Sequence, residues 1–164
     1  AELGGARAFV LELAGDAAAV AADRAAFAAK LGARDAPEHA IALLRAAQGA
    51  EGVRFRLAAL PSELEAARGA LCAAGAATLA FPARGILYAQ FASSAGAFGA
   101  QSAAVAAAAA RANGAWRLED APLPLRSGRE VLGERDGALA LQRAVKRAYD
   151  PQGILNPGRG LGEA

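Results

Sequence analysis

The chain has 164 residues, 55% of them hydrophobic and 21% charged, which suits a single globular core. Its mean hydropathy of +0.22 comes mostly from alanine, which supplies 51 residues. The formal charge is only +2 and the basic residues are scattered. Without a basic stripe interleaved with aromatics, a nucleic-acid partner is not expected. The alanine-rich run from Ala103 to Ala110 is far short of the roughly 20 residues a bilayer core needs. Cys72 is the one cysteine, so an internal disulfide is excluded, which fits a reducing, cytoplasmic setting.

In chain order, Arg7 to Leu13 reads as a strand, and Gly15-Asp16 caps a helix in which Val20, Phe27 and Leu31 share a face before Gly32 stops it. After Pro37, His39 to Gln48 is a second helix with Ile41 and Leu44 inward and Leu43 a further candidate for that face. Val53 to Ala58 alternates with the period of two of a half-buried strand. Pro61 opens a third helix, with Ser62 and Glu65 in capping-box spacing and Leu64, Leu71 and Cys72 inward, ending at Gly75. Thr78 to Phe81 and Ile86 to Phe91 form a hairpin through Pro82-Ala83-Arg84-Gly85. An alanine-rich helix from about Ala97 to Ala112 ends at Asn113-Gly114, where asparagine and glycine tolerate a left-handed backbone. Trp116 to Glu119 is a last strand, 122–137 a charged irregular loop, and Ala138, Leu141, Val145 and Ala148 mark a terminal helix that Asp136 or Gly137 caps. The element order contains a ferredoxin-like split unit. It predicts an α+β sandwich, an antiparallel sheet of four or five strands with helices on one face.

One sheet face is then free of helices. With Phe55, Leu57, Leu87, Ala89 and Phe91 under the helices, alternation gathers Glu12, Arg54, Arg56, Tyr88, Gln90, Arg117 and Glu119 on the other side. Two readings stand. Antiparallel sheets commonly show water a polar face; alternatively, Arg54, Arg56, Tyr88, Gln90 and Arg117 bind a carboxylate substrate, for which the forked guanidinium is suited. The other candidates carry less. His39 has no metal-ligand partner at useful spacing, so no metal site is expected. Cys72 reads as a core thiol. Asp120, Glu130, Glu134 and Asp136 are solvated loop charges or an acidic pair. The stretch Gly96-Ala97-Phe98-Gly99 is too loose for a phosphate cradle, and no P-loop or dinucleotide fingerprint is present.

The carboxyl end is the most specific stretch. Asp150, Pro151 and Gly153 occupy the preferred positions of a type I turn, Ile154 and Leu155 form an apolar pair, and Asn156-Pro157-Gly158 turns the backbone again. Leu141, Val145, Ile154 and Leu155 are expected to tie this tail to the core. The run from Ala140 to Arg159 resembles the carboxyl end of FAD-linked oxidases of the vanillyl-alcohol oxidase type. Within that family it is most similar to the FAD-binding subunit of bacterial glycolate oxidase. Elsewhere the resemblance is limited to element order and anchors such as Leu60-Pro61-Ser62-Glu63-Leu64.

The resemblance implies a single cap, or substrate-side, domain over 1–164, with 137–160 its terminal helix and Asn-Pro-Gly tail. It also implies an amino-terminal FAD-binding domain outside this chain, since the chain begins at Ala1 and contains no methionine. FAD would be the cofactor of the full-length protein and is not expected in this fragment; Asn156 would lie against the flavin domain as a candidate cofactor-binding residue, or serve only as a structural turn. The implied activity is oxidation of a 2-hydroxy acid such as glycolate. The implied partners are the chain's own FAD domain and other glycolate oxidase subunits, a second flavoprotein and an iron-sulfur subunit, which would give membrane association through those subunits; the fragment itself is expected to self-associate. The alternative is a non-catalytic interaction module that assembles with such subunits, and fold alone does not separate the two.

Overall fold

The computed structural model describes residues 8–37, 39–48, 52–92, 96–126, 131–133 and 137–155. The chain divides into two compact units, residues 1–50 and 51–164.

The first unit holds helix α1 (Ala17–Leu31) and helix α2 (Ala40–Gln48). The Asp16 carboxylate accepts from the backbone N–H groups of Ala18 and Ala19 at 3.0 and 2.9 Å, which satisfies two of the amides a helix start leaves open. Gly32 closes α1 in the left-handed conformation. Val20 and Phe27 are half-buried as the spacing predicts, whereas Leu31 is exposed. The expected first strand is absent: residues 8–13 carry no strand, and Phe9 is 81% exposed. Period-two alternation makes a strand only where a ladder partner exists, and the five described strands all pair with one another in the second unit.

That unit contains strand β1 (Val53–Ala58), helix α3 (Leu64–Ala73), the hairpin strands β2 (Ala77–Phe81) and β3 (Ile86–Phe91), helix α4 (Phe98–Arg111), strand β4 (Ala115–Asp120), a single-turn helix α5 (Leu123–Arg126), strand β5 (Leu132–Gly133) and helix α6 (Ala138–Tyr149). The sheet order is β2-β3-β1-β4-β5, antiparallel at each pairing. Its first four strands with α3 and α4 form the split unit expected from the sequence. Phe55, Leu57, Leu87, Ala89 and Phe91 are buried with Leu64, Ala67 and Leu71 of α3 and Phe98, Val105 and Ala108 of α4 in one core. Phe55 is its aromatic hub, with the rings of Phe91 and Phe98 centred 6.1 Å away and that of Trp116 5.8 Å away.

The hairpin turns through a short 3₁₀ segment, Pro82–Arg84, onto Gly85 at φ +63°. The Gly85 carbonyl accepts from Ala59 N–H at 2.9 Å, and a Cβ at Gly85 would strike the Ala59 carbonyl oxygen, so glycine is needed for both its φ and its close approach.

Several local expectations are corrected. Pro61–Glu63 is a 3₁₀ turn before α3, and Glu63, the α3 N-cap, makes no side-chain cap bond. The capping box does not form: Ser62 Oγ donates to Glu63, while the Glu65 carboxylate takes the fork of Arg68 at 2.9 Å. Cys72 is exposed, because Leu64, Ala67 and Leu71 already fill the inward stripe of α3. The 122–137 segment is not wholly irregular. It contains α5, with Leu125 buried, and β5, which pairs Gly133 with Trp116 and Leu132 with Arg117. Gly133 makes β5 possible, since any side chain there would overlap the Trp116 indole. Finally, Leu141, Val145, Ile154 and Leu155 are exposed, not anchors, and α6 buries no residue. Its less exposed side runs through Leu139, Gln142 and Lys146. No described helix is long and apolar enough to cross a membrane.

Candidate functional site

The register of β1 with its neighbours places the five predicted substrate residues together. Tyr88, Arg56 and Arg117 stand directly opposite one another across β3, β1 and β4, with Leu79 of β2 and Leu132 of β5 completing the row. In the next row, Gln90 of β3 faces Arg54, which faces Asp120 of β4. Side chains directly opposite in an antiparallel pair have Cβ atoms about 4.5–5.5 Å apart. The third row, Phe81, Ile86, Ala58 and Ala115, is apolar. The face therefore grades from charged at one end to apolar at the hairpin end, where Phe81 and Tyr88 meet edge to face with ring centres 6.0 Å apart. The expected Glu12 is exposed outside any strand.

The pairing slips between Arg54 and Phe55, which face Asp120 and Leu118. Glu119 is the extra residue of this bulge, a device that re-aims side chains. Its carboxylate accepts from Arg117 Nε at 2.5 Å, with the Arg117 side chain 49% exposed and that of Glu119 21%. Arg56 is half-buried, and its Nε is buried without a hydrogen-bond partner among the described residues. Arg54 and Arg56 form no ion pair among those residues. Two cations directly opposite each other repel, and an unpaired buried donor is costly, so this face is electrostatically suited to an anion.

A second polar centre lies at the carboxyl end. Asp150 N–H caps α6 on Lys146 O at 2.7 Å, and the Asp150 carbonyl accepts from Gly153 N–H at 3.1 Å, closing the expected turn. The Asp150 side chain is buried. It accepts from Lys146 Nζ at 2.5 Å, Ile154 N–H at 2.9 Å and Leu155 N–H at 3.0 Å. Lys146 Nζ also donates to Leu155 O at 3.0 Å. The Lys146 bond, supported by the two backbone amides, holds the Asp150 carboxyl below its ordinary value of 3.8. The sequence reading found Asp150 as a turn former but missed the clamp, although the i, i+4 spacing of Lys146 and Asp150 is a recognisable pairing signal. Asn156, Glu130, Glu134 and Asp136 lie outside the described residues.

The remaining candidates stay apart from these centres. His39 is an exposed turn residue ahead of α2. Cys72 Sγ lies 3.3 Å from Arg68 Nη1 and 3.4 Å from Thr78 Oγ1 on the exposed side of α3. No group of three or more His, Cys, Asp or Glu among the described residues is arranged to hold a metal ion.

Residues 128–159 match the family model of FAD linked oxidases, C-terminal domain. The match covers the α6 helix, the Asp150 turn and the tail, and it supports a carboxyl-terminal domain of FAD-linked oxidase type. Comparison with curated proteins and with solved structures gave no match.

The family description raises the question of whether the described residues fit FAD. They do not. The cleft at Tyr149, Asp150, Pro151, Gln152, Ile154 and Leu155 has its Asp150 carboxylate and the amides of residues 154 and 155 already bonded to one another. No glycine-rich turn leads onto a helix start there to hold a pyrophosphate.

Proposed function

We propose that this chain is the cap, or substrate-side, domain of an FAD-dependent oxidoreductase that oxidises a 2-hydroxy acid such as glycolate. FAD is held by a part of the protein outside these residues, and the chain alone is colourless and inactive. One observation supports this most strongly: Arg54, Arg56, Arg117, Tyr88 and Gln90 occupy adjacent register positions on one sheet face, in a chain whose carboxyl end matches FAD-linked oxidases.

In this reading Arg56 and its neighbours bind the substrate carboxylate through charge-assisted hydrogen bonds, and Tyr88 supplies a phenolic group beside it. Together they would orient the substrate carbon toward the flavin, which would supply the redox chemistry. Leu141, Val145, Tyr149, Ile154 and Leu155, all exposed, belong to the surface that meets the flavin-holding domain.

The intact flavoprotein, kept anaerobic, is titrated with glycolate and with glycolamide, which lacks the negative charge. Flavin bleaching by glycolate and not by the amide is expected. Equal bleaching by both would remove the arginines from substrate binding.

The same exposed apolar residues favour a second reading, an interaction module that assembles with other oxidase subunits. Arg54→Ala and Arg56→Ala separate the two. A higher substrate requirement with normal assembly on gel filtration supports the cap, and lost assembly with normal flavin reduction supports the module.

A further inference from the structure

We infer that Glu119 sets which anions the arginine face accepts, restricting it to a single negative charge at the Arg56–Arg117 pair. The inference rests on the proposed carboxylate site and assigns a specificity-determining residue to it.

Arg56 and Arg117 face each other directly across β1 and β4. Left alone, two such guanidiniums would favour an anion of two charges, because each could pair with its own carboxylate. Glu119 alters that balance. It sits on the bulge, its side chain is mostly buried, and its Oε1 takes Arg117 Nε at 2.5 Å. A guanidinium has five N–H donors, so Arg117 keeps donors for a ligand while most of its charge is compensated. Arg56 has no acidic partner among the described residues and remains the net cation of the pair. The two arginines with Glu119 sum to a single positive charge, and in the next row the charge of Arg54 is offset by that of Asp120 directly opposite. A monocarboxylate matches it, whereas a dicarboxylate would place its second charge against the Glu119 carboxylate. Glu119 also holds Arg117 in place, so the same bond orients one half of the proposed site.

The chain and its Glu119→Gln and Glu119→Asp forms are titrated with glycolate and with oxalate at constant ionic strength. Binding is followed by the Nε–Hε NMR signals of Arg56 and Arg117, and thermal unfolding confirms that each form is folded. In the natural chain glycolate should move both signals and oxalate should bind no more tightly. Glu119→Gln should tighten oxalate relative to glycolate by about tenfold, the scale of one unit charge removed at a half-buried site. Glu119→Asp keeps the charge and should keep the natural preference. An unchanged oxalate-to-glycolate ratio in folded Glu119→Gln would overturn the role of Glu119 while leaving the carboxylate site standing. If neither anion moves either signal in any form, the carboxylate site itself is wrong. Should Glu119→Gln fail to fold, Arg117→Gln supplies the test: glycolate must weaken and oxalate must weaken more, and equal weakening would refute the selection.

Discussion

Phe55 is the residue whose loss should damage this fold most. Fully buried on β1, it meets the rings of Phe91, Phe98 and Trp116 at 6.1, 6.1 and 5.8 Å, joining both neighbouring strands to α4. Phe→Ala in a core costs about 3–5 kcal/mol through lost transfer energy and the cavity left behind. At about 4 °C per kcal/mol for a unit of this size, the midpoint should fall by roughly 12–20 °C. Phe55→Leu isolates the aromatic part: it retains most of the apolar surface but loses three ring contacts worth about 0.5–1.5 kcal/mol each and not fully additive, so a loss of about 1–3 kcal/mol is expected. Trp116 is the chain's single tryptophan and touches Phe55, so its fluorescence during denaturant unfolding reports the transition directly. A Phe55→Ala chain within about 1 kcal/mol of the natural one would show that the core does not centre on this ring.

Four further outcomes follow from local geometry. Asp150→Asn should release the tail, seen as faster hydrogen exchange at the Ile154 and Leu155 amides; unchanged protection would mean that the clamp is idle. Because the Asp150 carboxyl is held below its ordinary value of 3.8, chiefly by Lys146, the clamp's contribution is full above that value and is lost as pH falls through the lowered one. Amide protection at residues 154 and 155 should therefore persist at pH 5 and fade only in stronger acid, and loss near neutrality would contradict the assignment. Gly133→Ala should push the Trp116 indole aside and detach β5, costing about 1–3 kcal/mol with a red-shifted emission; an unshifted spectrum would refute that packing. Cys72, exposed on α3, should react with a thiol reagent in the folded chain, and reaction only after denaturation would return it to the core.

The βαββαβ portion was legible because its signals were local and strong. Val53–Ala58 and Ile86–Phe91 alternate cleanly, and Gly75, Gly85 and Asn113 mark ends that the structure places at positive φ. That alternation also placed Arg54, Arg56, Tyr88, Gln90 and Arg117 on one face, although only the observed register shows Arg56 between Tyr88 and Arg117. What was missed depends on partners distant in sequence. Residues 8–13 have strand-like alternation but no ladder. β5 is two residues long and exists because Gly133 fits against Trp116. Leu141 and Val145 follow helical spacing, yet that spacing identifies a shared face and not what the face packs against. The Glu119 bulge leaves no mark in a single sequence.

Carboxylate binding by the arginine face in front of a flavin is tested most directly on the intact flavoprotein with Arg56→Gln. The quantity is the glycolate concentration giving half-maximal flavin reduction under anaerobic conditions. Loss of a hydrogen bond to a charged group, worth about 1.5–3 kcal/mol, should raise that concentration by about 10- to 150-fold, with the oxidised flavin spectrum unchanged. A concentration equal to that of the natural protein would rule out carboxylate binding by Arg56 and leave this face of the sheet to solvent.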